Sequence, residues 1–483
     1  MKIVIILFFL INVSLLSQNL AKFTLSDCIE YSIKNSPAAK SAKASYKSRT
    51  NRIKAFNAGF LPQISLNASL PGLSREIIPV LQPDGSQLFQ PQSQYFGSGS
   101  VSLRQAINPL GSEISISSGL SRIDAFGSRD YSIWRSTPIM ISYSQPIFFY
   151  NSLKWESKVQ EINEEINDNE YSSEIENISV NVTQKYFDVY IAKMNLKNAE
   201  QNVSVNDTLY IISKGRFEVG KIAENDLLQS ELAYLNAQNS YERALLDYKQ
   251  SIDEFRILLG ISADKEININ PDLIMPELDI NDGLALKYAL ENNPSFRNFD
   301  IAKLRAEMSL MQVEAANNLN ANLVASFGLN NSSDLLPDAY KELLQQQRLD
   351  ITLQIPIFQW GRNSAQVEAA LEDKNRTVIN TDLQKNNLET EIKYEALRLK
   401  QLMNQVRISA KADTIASRRF EVAINRYYIG KIDLNSFFIA QNEKDSAFQS
   451  YIQMLKAFWT SYYNLRRLTL YDFIEKRVIN HKI

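Results

Sequence analysis

The sequence predicts an α+β membrane protein written twice along one chain, with strand pairs joined to very long helical hairpins. Three observations carry this. First, short marks recur at one fixed offset. "QPIF" and "IPIF" place Pro146 and Pro356 210 positions apart, and "RFEVGK" and "RYYIGK" place Arg216 and Arg426 at the same 210. Two marks that keep one spacing across half a chain indicate an internal duplication. Second, Gly and Pro are absent from Asn151–Lys214 and Asn363–Ile429, runs of 64 and 67 residues, and again from Lys431–Ile483. Third, four segments alternate apolar and polar residues with the period of a strand.

The chain begins "MKIVIILFFLINVSLLSQ", with one Lys and then an apolar run from Ile3 to Leu16. That run fits the core of a signal peptide and falls short of the roughly 20 residues that span a bilayer. Residues 1–17 are therefore expected to be a signal peptide cut near Ser17; the alternative is a short anchor. The 483 residues carry a net charge of −2, without the basic excess of a nucleic-acid binder. One Cys (Cys28) and one His (His481) leave little room for His/Cys metal sites or His-based nucleophilic triads. Cys28 reads as a small core residue of an early helix. No catalytic, metal-binding or cofactor-binding residue is expected.

The breaker-free blocks read as long helices, and 64 residues at 1.5 Å each reach roughly 95 Å. Ile175, Ile178, Val182, Val189, Ala192, Leu196, Ala199 and Val203 follow alternating steps of three and four, with Lys185 filling one slot. This is a coiled-coil seam or the core of a bundle. Ile392, Leu399, Leu402 and Val406 form a similar stripe. Gly220 and Gly430 each stand between two helical blocks, where a left-handed residue reverses the chain. Each half of the chain thus builds one helical hairpin, with tips at Val219-Gly220-Lys221 and Ile429-Gly430-Lys431.

The four strands are "PQISLNASL" from Pro62, "PIMISYSQ" from Pro138, "NANLVASFGLN" from Asn320 and "RLDITLQI" from Arg348. Small polar residues opposite the apolar face suit a wet lumen, although a soluble half-buried sheet has the same pattern. Phe60, Phe148, Phe149, Tyr150, Phe358 and Trp360 flank the strands, as an interfacial girdle or as junction packing. Four strands cannot close a barrel whose smallest form has eight, and an open edge in lipid is forbidden. If the strands span a membrane, several chains share one barrel. The first repeat is longer between its strands. It contains the Pro- and Gln-rich "PVLQPDGSQLFQPQSQ" and two further β-like runs, "SVSLRQAI" and "EISISSGL". An enlarged extracellular loop or cap is expected there.

The expected organisation is a first repeat over 18–260, with strands within 62–146 and a hairpin at 147–260. A second repeat covers 261–470, with strands at 320–330 and 348–355 and a hairpin at 359–470. A tail follows at 471–483.

This order resembles the TolC-like family of outer-membrane efflux ducts over nearly the whole mature chain. The residues that carry the resemblance are "LSDCIEYSIKNSP" and its repeat "DGLALKYALENNP", "FLPQISLNAS", "QPIF", "IPIFQWGR" and the two tips. The resemblance implies a homotrimer in which each chain gives four strands to one transmembrane β-barrel, continued by a long periplasmic α-helical barrel. It implies outer-membrane lipid, a periplasmic adaptor (membrane fusion) protein and an inner-membrane RND or ABC-type pump as partners, in tripartite efflux or type I secretion. Asp226 matches an acidic gate position of the family. Where the family often carries an acidic ring after the second tip, this chain has Ser436 and Ile439. Arg426, Tyr427, Lys431 and Asp433 are the remaining polar gate candidates, against a reading as solvated helix-end groups. The competing function is a periplasmic coiled-coil scaffold or adaptor. An enzyme is disfavoured, because the carboxylates show no spacing that fixes a constellation.

Overall fold

The computed structural model describes residues 22–126, 130–262, 267–270 and 275–481; the expected signal peptide lies outside them. In chain order the elements are β1 (Lys22–Phe23), α1 (Leu25–Asn35), α2 (Pro37–Ala58), β2 (Gln63–Leu81), β3 (Gln87–Ile107), β4 (Ser112–Phe126), β5 (Tyr131–Ile147), α3 (Ser152–Glu218) and α4 (Glu224–Leu259). They continue with β6 (Asn268–Ile269), α5 (Asp282–Asn292), α6 (Pro294–Asn317), β7 (Asn320–Ser333), β8 (Leu344–Gln354), α7 (Arg362–Tyr428), α8 (Leu434–Thr469), β9 (Tyr471–Asp472) and β10 (Arg477–Val478). The duplication is visible in the pairs α1–α2 and α5–α6. Each first helix stops one residue before a proline that opens the next, a position where proline's missing N–H costs nothing. Thr24 and Asp27 form a reciprocal capping box at the start of α1.

Two compact units are described separately. One contains 46–168 and 294–388, and the other the described residues 22–45, 169–293 and 389–481. In the first unit β2, β3, β4, β5, β7 and β8 form one sheet in that order, antiparallel throughout. The four expected strands are all present, and the sheet of this chain holds two more, six in all. "SVSLRQAI" and "EISISSGL" lie in β3 and β4 and pair between β2 and β5. The Pro- and Gln-rich stretch is a paired hairpin rather than a loop. Pro79 faces Phe89, and the turn is closed by the Ser86 N–H bonding Asp84 and by Gly85 at φ 84°. β3 runs six residues past the end of its pairing with β4, so the β2–β3 hairpin stands about 20 Å beyond β4. The helical part of this unit packs Val159 and Ile166 of α3 against Ile301 of α6. Tyr46 donates to Asp168 at 2.9 Å, Arg297 meets Glu165 at 3.1 Å and Lys303 meets Asp382 at 2.6 Å.

In the second unit the stripe on α3 is the core face: Ile175, Ile178, Val182 and Val189 are buried, as are Ile392, Leu399, Leu402 and Val406 on α7. Lys185, the polar member of the stripe, reaches out to Glu254 of α4 at 2.7 Å. α3 meets α8 through Asp188–Lys456 at 2.5 Å and through Asn202, which bonds both Gln441 and Asp445. Cys28 is fully buried, and burial together with nearby Asp27 pushes its thiol up to about 12, which leaves it inert. Gly260 ends α4 at φ 74° directly against α1, where a Cβ would come within 3.1 Å of the Asn35 carbonyl. Leu470 turns left-handed after α8 and sends the tail back; Tyr471 stacks on Tyr288 at 3.9 Å.

Candidate channel wall and helical tips

The registers assign every strand residue to one of two faces. On one face Ile64, Leu103, Ile116, Ile141 and Phe327 lie side by side across five strands. Leu66, Val101, Tyr143, Leu323, Leu349, Ile351 and Leu353 share that face. Ile64 and Leu66 are more than 70 % exposed, and Leu349, Ile351 and Leu353 are 60 % or more. The opposite face is dominated by hydroxyls and other small polar groups: Ser65, Asn67, Ser100, Ser102, Ser115, Ser117, Ser142, Ser326 and Thr352. Ser65 and Ser102 bond across the strands at 2.9 Å. A sheet with a broad uncovered apolar face and a hydroxyl-lined reverse matches a barrel wall with lipid outside and water inside.

Aromatics bracket the apolar band. At the far end Tyr95 packs edge-on to Phe126, and Arg122 lies 5.0 Å from the ring of Trp134. At the helix end Phe148, Phe149, Phe358 and Trp360 are 60–89 % exposed, and Phe358 packs edge-on to Trp360. Phe148 and Trp360 adopt left-handed backbone at φ 60° and 52°, one at each strand-to-helix junction. Bulky residues hold that conformation only when something over-determines it. Between Leu66 and Leu73 a bulge at Ser69/Gly72 transfers the apolar set from even to odd positions, keeping Leu73 beside Tyr95.

The helix end is stitched. The β3–β4 turn, Asn108–Gly111, lies on the start of α3: Asn151 donates to the Asn108 carbonyl at 2.8 Å and Asn108 donates to Ser157 at 2.8 Å. Gly111 sits at φ 64° with Asn151 3.0 Å from where a Cβ would stand. Gln105 donates to the Phe60 carbonyl at 2.5 Å and Gln145 to the Leu110 carbonyl at 3.1 Å.

Both tips are the same turn. Gly220 and Gly430 stand at φ 66° and 71°; Lys221 N–H bonds the Arg216 carbonyl and Lys431 N–H the Arg426 carbonyl, each at 2.8 Å. This is the Schellman closure that glycine permits. Val219 and Ile429 are about two-thirds exposed at the apices. Asp226 lies exposed in the first turn of α4, and Arg426 and Lys431 are exposed. Asp433 caps α8 by accepting the Ser436 N–H at 2.7 Å. The Ser436 side chain and N–H hold its carboxyl below the ordinary carboxylate range. Tyr427 differs from these: it is 4 % exposed in a core with Leu209 and Phe437, and the Arg216 guanidinium lies 5.3 Å from its ring. The structure therefore brings Tyr427 together with Arg216, a pair that sequence pattern did not single out. Asp433→Ala is expected to fray the first turn of α8, seen as faster hydrogen exchange at Ser436; acidification should do the same in the wild type as Asp433 takes up its proton.

One buried charge cluster also went unforeseen. Glu176 of α3, 1 % exposed, meets Arg466 at 3.0 Å and His481 at 3.0 Å; Arg466 also meets Asp472 at 3.0 Å, and Tyr462 donates to Asp472 at 2.7 Å. Burial alone would raise the Asp472 carboxyl, but the Arg466 charge, two backbone N–H groups and the Tyr462 hydroxyl outweigh it and hold it below its ordinary value. No helix among the described residues is long and apolar enough to cross a membrane.

An apolar-banded sheet with a hydroxyl-lined reverse, joined to helical hairpins, defines a membrane-embedded β-channel protein with helical extensions. The sequence matches the outer membrane efflux protein family over residues 110–260 and 285–469, so the chain belongs to that family and its two repeats are copies of the family unit. The protein is an outer-membrane efflux channel of the TolC-like kind, a transport duct. Solved structures agree in fold. The CmeC outer membrane channel of Campylobacter jejuni superposes with TM-score 0.65 at 15 % identity, covering 92 % of this chain and 85 % of that one. VceC of Vibrio cholerae gives 0.64 at 12 %, covering 92 % and 95 %. The open-state MtrE channel of Neisseria gonorrhoeae gives 0.62 at 14 %, covering 92 % and 88 %. No curated protein sequence matches the chain.

Proposed function

We propose that three copies assemble into one duct in the outer membrane. A periplasmic adaptor docks at the helical tips, and an inner-membrane pump of RND or ABC type supplies the cargo of a tripartite efflux or type I secretion system. The observation that carries the assembly is the sheet itself. It exposes an apolar face across all its strands and ends in two open edges, yet one chain has fewer strands than the smallest barrel. The exposed Val219 and Ile429 beside Lys221 and Lys431 offer an adaptor an apolar contact rimmed by charge. Asp226, Arg426, Lys431 and Asp433 line the approach to the entrance, and the Arg216–Tyr427 contact is the clasp that holds the two tips together. The chain is made with a signal peptide over residues 1–17.

The assembly is tested by the native mass of the protein extracted in mild detergent from a purified outer-membrane fraction. A mass of three chains is the expected result; a monomer, or recovery from the soluble periplasm, would sink the reading. The clasp is tested by Tyr427→Ala. Removing a buried aromatic costs about 3–5 kcal/mol locally. Single-channel conductance in a planar bilayer should rise by several fold, while the native mass stays unchanged.

A further inference from the structure

β2 and β8 are the edges of the sheet, each hydrogen-bonded on one side only. We propose that all six strands enter the membrane wall and that β2 of one copy pairs with β8 of the next. Three copies then close an eighteen-stranded barrel, in place of the twelve strands that four per chain would give. This rests on the shared-barrel reading above and adds to it the identity of the joining strands and the width of the pore.

Four observations converge on it. The apolar row Ile64–Leu103–Ile116–Ile141–Phe327 crosses from the edge strand into the second repeat without a break, so β2, β3 and β4 face the same medium as β5 and β7. β3 and β4 are 21 and 15 residues long, beyond the roughly 9–11 that a tilted membrane strand needs. The β3–β4 turn is stitched to the start of α3 by Asn108 and Asn151, so β3 returns fully to the helix end before β4 begins. A cap standing off the membrane would have no need of that return. Finally, six is even. The strands alternate in direction, so β2 and β8 are antiparallel, and copy-to-copy pairing continues the antiparallel ladder that bacterial barrels require.

Barrel diameter grows roughly linearly with strand number, so eighteen strands give about 1.5 times the width of twelve and about 2.3 times the cross-section.

The test is cross-linking of the full-length protein in outer membranes. Leu66→Cys in β2 is combined in turn with Leu349→Cys, Ile351→Cys and Leu353→Cys in β8, and Ile116→Cys in β4 is combined with the same three. All are exposed positions of one face, and facing strand residues lie within disulfide reach. The native Cys28 is buried and does not compete. Each doubly substituted protein is first shown, under reducing conditions, to keep the three-chain mass. After oxidation, covalent dimers and trimers from a Leu66 pair support the proposal. Links only from an Ile116 pair overturn it, because β4 would then be the joining edge and the β2–β3 hairpin would lie outside the wall. A three-chain protein that links in neither series also overturns it. Failure of the shared-barrel reading itself shows separately, as a monomer in the mass measurement.

Discussion

Replacing Arg466 with methionine is expected to destabilise the protein by about 3–5 kcal/mol at neutral pH, the usual cost of removing one partner from a buried ion pair. Arg466 lies between Glu176 and Asp472, and its loss strands two carboxylates, one 1 % and the other 7 % exposed. The pH dependence fixes the sign. The folded protein holds the Asp472 carboxyl below its ordinary value, so its contribution is present above the unfolded carboxylate range and is lost as pH falls through the lower folded value. Without Arg466 the largest part of that contribution is lost, although the Tyr462 hydroxyl and two backbone N–H groups remain, so the gap between wild type and variant should be widest near pH 7 and narrow in acid. Thermal unfolding in detergent from pH 7 down to about pH 2 would show it. Arg466→Met combined with Glu176→Gln should recover part of the loss, because it removes one of the two stranded charges. A variant as stable as wild type at pH 7 would mean that the cluster is wet rather than buried.

The second large effect is expected at Gly328. A Cβ there would stand 2.6 Å from the Ile139 carbonyl oxygen and 2.9 Å from the Met140 sulfur. The carbonyl is backbone of the neighbouring strand and can move only by opening the β5–β7 ladder. Gly328→Ala should cost at least the 1–3 kcal/mol typical of overpacking, and Gly328→Val more. Because β5 and β7 form the seam between the two repeats, the readout is assembly. The trimer recovered from membranes should fall by tenfold or more for valine. Gly99 supplies the control, since a side chain there meets nothing within 4 Å. Gly99→Val should assemble normally.

How much of this was legible in the sequence depended on whether a local period survived. The long helices were, because Ile175 through Val203 keep a helical spacing for eight turns and no glycine or proline interrupts. The strands around Leu66, Ile141, Leu323 and Ile351 were, because alternation is clean there. β3 and β4 were flagged but could not be placed. Gly97, Gly99 and Gly119 empty several positions of the pattern, and the bulge at Ser117/Gly119 shifts β4 against β5 by one residue. The β2–β3 extension was hidden by its prolines, Pro79 in β2 and Pro91 in β3, which are tolerated because β3 pairs with β4 only from Ser93 onward and each strand of the extension has one neighbour. The Glu176–Arg466–Asp472 cluster and the Arg216–Tyr427 contact left no signal, since their members lie far apart along the chain and share no motif. Tyr427 was noticed for its polarity near a tip, and its ring turned out to be core.

The seam between the repeats also sets the order in which the sheet can form. Every other pairing in it joins neighbours along the chain, whereas Ser144 of β5 meets Asn322 of β7 across 178 residues. Closing a loop of that length carries an entropy cost that local hairpins do not, and high contact order slows folding. β2 to β5 can zip as a four-stranded meander while the second repeat is still emerging. β7 and β8 dock last. Until they do, the β5 edge stands unpaired in water with apolar side chains beside it, the most aggregation-prone moment in the life of the chain. A holdase that shields this edge would raise the yield of assembled channel without touching the native structure.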